Sequence, residues 1–156
     1  MRLAVAAAMV ALLAAPIAPA SVAAAATYRV DDHATLPIES TALLRWRQAA
    51  PSLAQDDTLE GATAVAVRLN LAAWVGQEAS LYLVFPEQGS AALRASWTTQ
   101  GRLLPGEISP GKRVLVYRGR ITSPAIEETL TLRIEADGNR LSGMQHLQFH
   151  FEIDTD

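Results

Sequence analysis

Apolar and polar residues alternate with a period of two through much of the chain beyond residue 58. In segment 59–71 the odd positions carry Leu, Gly, Thr and Val, and the even positions carry Glu, Ala, Arg and Asn. Neighbouring side chains of a strand point to opposite faces of its sheet, so this pattern predicts a long strand with one buried face. Segment 146–154 repeats the pattern, with Leu, Phe and Ile alternating with His, Gln, Glu and Asp.

Shorter runs of the same kind predict the remaining strands. They cover 80–85, 93–99, 113–118 and 128–136, and weaker candidates lie at 34–38 and 42–47, the latter also compatible with one or two helical turns. Proline and glycine mark the connections, and Asp137-Gly138 is a dipeptide typical of hairpins. About seven or eight short strands without a long helical pattern predict an all-β domain, a single antiparallel β-sandwich of the immunoglobulin-like, Greek-key type. A small β-barrel is the alternative.

The first 26 residues differ from the rest of the chain. Arg2 is the only charged residue among the first 28, and an uninterrupted apolar run extends from Leu3 to Ala15. A short positive region, an apolar stretch too short for an ordinary membrane span and small residues at its end are the features of a cleavable signal peptide. Small residues fit the cleavage rule at Ala20 and at Ala26, and we expect cleavage after Ala26, which leaves 27–156 as a single domain. An uncleaved membrane anchor is the alternative.

Composition narrows the chemistry of this domain. The chain has 13 Lys and Arg against 16 Asp and Glu, and removal of Arg2 leaves 12 against 16, a net charge of −4. This mild acidity gives no support for nucleic-acid binding, which needs a basic surface. The absence of cysteine excludes disulfides, thiol catalysis, thiolate metal sites and a lipoprotein anchor. We therefore expect an exported domain, in the periplasm or at the cell surface, with no stable membrane span after cleavage.

Residues suited to catalysis or metal binding do not form a known constellation. The sequence contains no G-x-S-x-G elbow and no phosphate-binding glycine loop. His146 and His150 are four residues apart, which on a strand separates their Cα atoms by roughly 13 Å and prevents them from sharing one metal ion. His33 follows two aspartates in an early loop, and Glu152 lies on the same strand face as His150 and could pair with it. We expect no cofactor, no metal and no enzymatic activity.

Three tryptophans are candidates for the core or for binding. Trp97 shares a strand face with Leu93 and Ala95, so we expect it in the core. Trp74 precedes a glycine turn, which favours an exposed position at a loop tip, where an aromatic ring can stack on a sugar or anchor a protein partner. The sequence assigns no role to Trp46.

The most distinctive local charge extends from residue 101 to residue 120. This segment has a local charge of +4 in an acidic protein, because it contains five basic residues and a single acidic residue, Glu107. The basic residues are Arg102, Lys112, Arg113, Arg118 and Arg120. One interpretation is charge pairing between neighbouring strands, with the acidic stretch 127–137 following directly in the chain. The other is a basic patch that docks an acidic partner or an anionic envelope surface.

Together these features predict a non-enzymatic domain that acts through contact with another envelope or surface protein. It would be a surface-structure subunit of the pilus type or an assembly accessory. The regular alternation of the last strand would allow it to add to the sheet edge of another subunit. A small-ligand or carbohydrate-binding module using Trp74 is the alternative, and a hydrolase with dispersed catalytic residues is the third hypothesis. The sequence leaves the oligomeric state open.

Overall fold

The structure is a computed structural model, and it describes residues 25–39, 42–47, 57–87, 93–140 and 147–155. Most of the predicted signal peptide, up to residue 24, and His146 lie outside these ranges. The described ranges contain ten strands and one 3₁₀ helix at Ala72–Trp74. The strands are β1 (Ala26–Arg29), β2 (Leu36–Pro37), β3 (Arg45–Trp46), β4 (Thr58–Asn70), β5 (Glu78–Phe85), β6 (Leu93–Thr99), β7 (Gly106–Ile108), β8 (Lys112–Arg120), β9 (Ala125–Asp137) and β10 (His150–Thr155).

These strands form two antiparallel sheets packed face to face. Sheet A has the order β1-β10-β5-β8, and sheet B has the order β2-β4-β9-β6-β7, with β3 also paired to β4. The predicted β-sandwich is confirmed, and the alternative of a barrel is wrong because the sheets do not close on themselves. Seven strands have four or more residues; six of them lie in the segments that the alternation predicts, and β1 is the seventh. No helix among the described residues has the length and apolar character needed to cross a membrane.

The two longest strands form the centre of sheet B. β4 and β9 have 13 residues each and are paired along their whole length, with Leu69 opposite Ile126 on the core face. Sheet A contributes Leu81, Phe85 and Ile153, which are almost completely buried. Full burial of one such side chain stabilises the fold by about 1.5–3 kcal/mol. The core therefore forms from alternating apolar side chains of both sheets and needs no disulfide.

Most predicted strands are present, with ends that differ by a few residues. The predicted strand 93–99 coincides with β6, and 59–71 is displaced by one residue from β4. Segments 34–38 and 42–47 contain only the two-residue strands β2 and β3. The sequence does not predict β1, which contains the expected cleavage site, or β7, which begins where a proline and a glycine indicate a turn.

The hairpin predicted at Asp137-Gly138 is wrong. The chain turns at residues 138–140, but β9 belongs to sheet B and β10 to sheet A. Both edges of β9 are already paired, with β4 and β6, so β10 continues in the opposite sheet. There it lies between β1 and β5. The last strand therefore has no unpaired edge to add to another subunit.

The connection between β6 and β7 is held by a partly buried carboxylate. Glu128, on the inner face of β9, accepts hydrogen bonds from the Thr99 hydroxyl at 3.0 Å and from the backbone N–H of Leu103 at 3.1 Å. The backbone N–H of Arg102 donates to the other carboxylate oxygen. Leu103 is buried at the same place. One side chain thus satisfies several donors of a loop that would otherwise have to be solvated.

Trp97 is buried in the core, as its position beside Leu93 and Ala95 predicts. Its indole Nε1–H donates to the backbone carbonyl of Leu104 at 2.9 Å. The backbone N–H of Leu104 donates in turn to a carbonyl of β8 at 2.7 Å. This loop therefore ties the edges of the two sheets together.

Candidate functional site

A row of exposed apolar side chains lies along the edge of sheet B that β2 and β3 form. Leu36, Ile38, Leu43 and Trp46 are 62%, 59%, 72% and 56% exposed. Scattered apolar residues are ordinary on a protein surface, whereas neighbouring large ones are typical of interaction sites. These four residues are here called the β4-edge surface.

Strand β4 holds the backbones of the four residues in a row along one edge, with Leu36 opposite the outward-facing Ala66 and Trp46 opposite the inward-facing Leu59. Leu36 and Trp46 are ladder partners of β4 residues. The backbone N–H of Ile38 donates to a β4 carbonyl, and the backbone carbonyl of Leu43 lies against β4. In chain order these β4 neighbours are Ala66, Ala64, Gly61 and Leu59. At a strand rise of about 3.3 Å per residue, the row is roughly 23 Å long. This length is appropriate for contact with a folded partner.

Gly61 permits the close approach of segment 42–44 to β4. A Cβ atom at this position would lie 2.7 Å from the carbonyl oxygen of Leu43 and 2.8 Å from Cδ2 of Leu44. Leu44 packs against the core, while its neighbour Leu43 is exposed. The glycine therefore fixes a segment that has one anchoring and one solvent-facing leucine.

An open groove of about 530 Å³ lies at the β3 end of the β4-edge surface. Its lining includes the apolar side chains of Leu43 and Trp46 and the charged residues Glu39, Arg45, Glu60 and Arg133. Apolar groups bordered by charges of both signs resemble the core and rim of a protein interface. This mixture of charges does not suit a uniformly negative ligand such as nucleic acid, which binds to basic surfaces.

The β3 end of this surface is fixed by packing and by ion pairs. The Trp46 ring packs against Gly138, in the turn after β9. Arg47 forms ion pairs with Glu60 at 3.3 Å and with Glu135 at 2.6 Å. Exposed pairs of this kind stabilise a protein by at most about 1 kcal/mol, but they restrict the position of the segment. A preformed surface loses less entropy on binding.

The sequence pattern does not indicate the β4-edge surface. The available signal is the apolar content of 34–38 and 42–47, two segments in which the alternation is weak. Apolar residues that neither a strand nor a helix pattern assigns to the core are candidates for exposure. In this chain they lie at the surface because β2 and β3 pair with β4 at the edge of sheet B.

The predicted basic residues of 112–120 lie on β8, which is an edge strand of sheet A. Arg113 extends across β5, with its guanidinium carbon 3.7 Å from the centre of the Tyr82 ring. It forms ion pairs with Glu152 at 2.9 Å and with Asp154 at 2.6 Å. The hydrogen bonds between them lower the pKa of Asp154 and raise the pKa of Arg113. The acidic partners of Arg113 are therefore in β10, and not in the stretch 127–137.

The other basic residues do not converge on one point. Arg118 donates to a serine hydroxyl of β5 at 3.3 Å, and Arg120 donates to a backbone carbonyl of the loop before β5 at 2.9 Å. Within the described part of the chain, Arg102 and Lys112 form no ion pair. Lys112 and Arg120 are at opposite ends of β8, roughly 26 Å apart. Charged side chains on an edge strand also oppose unwanted pairing with the sheets of other molecules.

Trp74 is less exposed than its position before a glycine turn predicts. It lies in the 3₁₀ helix between β4 and β5 and is half-buried against the core. Its ring centre is 6.2 Å from that of Tyr28, which is 49% exposed. The exposed apolar residue of this loop is Val75, with an exposure of 48%.

The described histidines each contact one carboxylate. His150 and Glu152 are 3.3 Å apart, as their shared strand face predicts, and His150 contacts no serine hydroxyl of the described residues. His33 and Asp31 are 2.7 Å apart, and this hydrogen bond lowers the pKa of Asp31. In the ranges that the structure covers, no group of three or more His, Asp or Glu side chains could hold a metal ion.

No protein-family model, curated protein or solved structure matches the chain. Its function is therefore inferred from its own residues and their arrangement.

Proposed function

We propose that this protein is an exported, non-enzymatic β-sandwich that binds another envelope or surface protein through the β4-edge surface. The observation that carries the proposal is the row of four large apolar side chains, each more than half exposed, on one sheet edge. Covering such side chains removes apolar area from water, which favours association. Export is supported by the apolar N-terminal segment with its single charge at Arg2.

The groove at the β3 end supports a protein as the partner. Glu39 and Arg45 line this groove together with Glu60 and Arg133, which are paired with each other at 3.3 Å, so the rim carries charges of both signs. A folded protein can supply an apolar centre and the matching charges. A surface-structure subunit or an assembly accessory of the exporting cell fits this description.

The test is chemical crosslinking of the full-length chain in exporting cells, followed by quantification of the captured proteins. Ile38→Ser and Leu43→Ser remove exposed side chains that the fold does not need, and Val75→Ser is the control at an equally apolar exposed position elsewhere. We expect each edge variant to reduce capture of the partner about tenfold, which corresponds to about 1.4 kcal/mol. A wild-type protein that is strictly monomeric and captures nothing, or a partner retained equally by all variants, would refute the proposal.

The basic residues are a second candidate contact within the same function. Arg102, Lys112, Arg118 and Arg120 lack carboxylate partners among the described residues, so an acidic partner could approach them. Substitution of Arg118 and Arg120 by glutamine in one chain tests this surface. Loss of capture here, with normal capture by Leu43→Ser, would move the contact from the β4-edge surface to β8.

Carbohydrate or small-ligand binding is the second candidate function. It is favoured by the Tyr28–Trp74 ring pair, which lies next to the exposed Val75. An aromatic pair of this kind offers an apolar platform for a sugar ring. Binding on a glycan array that is lost in Trp74→Ala and in Tyr28→Ala would support this function, and an array without signal would exclude the glycans tested.

A further inference from the structure

We propose that two copies of this protein associate through β1, with their β1 strands paired antiparallel about a two-fold axis at Tyr28. This contact goes beyond the proposed function and does not use the β4-edge surface. β1 is the outermost strand of sheet A, next to β10. An outermost strand has backbone groups without a partner in its own sheet, and these can pair with a strand of another molecule.

Thr27 and Arg29 direct their backbone N–H and C=O groups away from β10. The backbone N–H of Val30 donates to the carbonyl of Phe151 at 2.9 Å, so the backbone groups of Val30 face β10. Backbone groups of successive residues in a strand point to opposite sides, so those of Tyr28 also face β10 and those of Thr27 and Arg29 face outwards. No described residue forms a backbone hydrogen bond with Thr27 or Arg29 on the outer side.

The other sheet edges have features that oppose pairing with a second molecule. On β8, at the opposite edge of sheet A, the carbonyl of Val116 accepts a hydrogen bond from Leu104 at 2.7 Å, and the register with β5 is irregular. In sheet B, β2 contains Pro37, which has no N–H, and β3 and β7 have only two and three residues. Prolines, bulges and very short strands protect a sheet edge. β1 has no proline, and its register with β10 is regular.

A two-fold axis at Tyr28 uses both open residues of β1. It places Thr27 of one copy opposite Arg29 of the other, and each such pair exchanges two backbone hydrogen bonds. An axis at Arg29 would instead place two arginines opposite each other, which is unfavourable. In a two-fold contact every pair occurs twice, so a strand with this arrangement is complementary to itself.

The charge of Arg29 suits this arrangement. Arg29 lies opposite Glu152 in the ladder, but Glu152 is bound by Arg113 at 2.9 Å, and within the described part of the chain Arg29 forms no ion pair. Thr27 lies opposite Asp154, so Arg29 of the second copy would share a row with Thr27 and Asp154 on the outer face of sheet A. Neighbouring strands are about 4.8 Å apart, which lets this guanidinium reach the Asp154 carboxylate across Thr27. A carboxylate accepts about four hydrogen bonds, and Asp154 accepts three in the single chain.

Tyr28 lies at the proposed axis and is 49% exposed. Its pair with Tyr28 of the second copy is of the non-hydrogen-bonded type, in which the two Cα atoms are about 4.5 Å apart and the side chains are closest. The two rings would therefore cover each other. Tyr28 contacts the ring of Trp74, which follows the end of β4, whereas the β4-edge surface lies beside residues 59–66. The two contacts use different residues and can be tested separately.

The first experiment is sedimentation velocity of the purified exported protein as a function of its concentration. We expect a reversible dimer. Arg29→Gln removes the charge and keeps the backbone groups, and it should weaken the dimer about tenfold, which corresponds to about 1.4 kcal/mol. Leu43→Ser, in the β4-edge surface, is the control and should leave the dimer unchanged. A wild-type protein that is monomeric at every concentration, or a dimer that is lost in Leu43→Ser, would overturn this inference.

The second experiment locates the axis with a single cysteine, since the chain has none of its own. Tyr28→Cys would place two thiols on Cα atoms about 4.5 Å apart, within the range of a disulfide. Leu104→Cys, beside β8 and with a similar exposure of 45%, is the control. After incubation with oxidised glutathione, non-reducing electrophoresis should show a covalent dimer of Tyr28→Cys alone. Equal crosslinking of both variants, or of neither, would contradict an axis at Tyr28.

Failure of this inference is distinguishable from failure of the proposed function. A monomeric wild-type protein that still captures a partner through the β4-edge surface would overturn the β1 contact and leave the proposed function intact. A β1 dimer that captures no other protein would support the β1 contact and count against the proposed function.

Discussion

The Arg113 guanidinium holds the Asp154 carboxylate with two hydrogen bonds, of 2.6 and 3.0 Å, from the far side of strand β5. Asp154 also accepts a hydrogen bond from the Thr27 hydroxyl at 2.6 Å. Asp154 therefore connects the edge strand β8 with the N-terminal strand β1 across the outer face of sheet A. Both side chains of the ion pair are partly shielded from solvent, which reduces screening.

We expect Arg113→Gln to lower the free energy of unfolding by about 1 kcal/mol at neutral pH. The pKa of Asp154 is lower in the folded chain than its unfolded value of about 3.9, since Arg113 stabilises the carboxylate. The contribution is therefore complete above this unfolded value and is lost as the pH falls through the folded pKa. Urea denaturation at pH values from neutral to strongly acidic should show a difference from wild type that disappears in acid.

Arg118→Gln is the matched control for this prediction. Arg118 lies on the same strand and face but bonds to a hydroxyl instead of a carboxylate. Its substitution should leave the acid dependence of stability unchanged. If Arg113→Gln and Arg118→Gln had the same pH profile, the ion pair with Asp154 would not contribute to stability.

Glu128→Ala should destabilise the fold by about 2–3 kcal/mol. The substitution leaves the Thr99 hydroxyl and the backbone N–H groups of Arg102 and Leu103 without their acceptor. Thermal unfolding followed by circular dichroism measures the effect. Glu127→Ala, at the exposed neighbouring position, should change stability by less than about 0.5 kcal/mol. Equal effects of the two substitutions would contradict a role of Glu128 in holding the loop.

Thr63→Val should stabilise the protein by about 1 kcal/mol. The Thr63 hydroxyl is buried and has no hydrogen-bond partner among the described residues. Valine has nearly the same shape and removes the cost of burying an unsatisfied polar group. Thr131→Val, on the exposed outer face of β9, is the control and should bring no such gain. A lower urea midpoint for Thr63→Val would show that the hydroxyl does have a partner in solution.

Gly61→Ala should destabilise the fold by about 1–3 kcal/mol, because the new methyl group overlaps with the Leu43 carbonyl and the Leu44 side chain. The displaced segment carries part of the β4-edge surface, so partner capture should fall as well. Ala62→Ser changes the neighbouring outward-facing residue and should leave stability almost unchanged. Normal stability of Gly61→Ala would mean that segment 42–44 does not pack against β4 as described.

Alternation identifies the long strands because one face of each strand packs in the core and the other faces water. β4, β6 and β9 each combine an inner apolar face with an outer polar one, and the period of two is visible in each. β1 and β7 have four and three residues, too few to show a period. The hairpin error at Asp137-Gly138 has a different cause. Local turn chemistry specifies that the chain turns, while the pairing of both edges of β9 decides which sheet receives β10.

The candidate site is harder to predict from the sequence than the core. Exposure of Leu43 and Trp46 depends on where β3 docks along β4, which is a long-range contact. The basic run is conspicuous in the sequence, yet the structure divides it. Arg113 pairs with β10, whereas Arg118 and Arg120 donate to neutral groups. Local charge density does not reveal which residues a neighbouring strand neutralises.

The pairing of Ala26 with Thr155 brings the first and the last strand of the sandwich together as neighbours. Any polypeptide fused to either end would leave the sandwich from the same corner, at two adjacent strands of sheet A. The domain is therefore suited to insertion as a cassette between two residues of a host loop, and to circular permutation through a short linker.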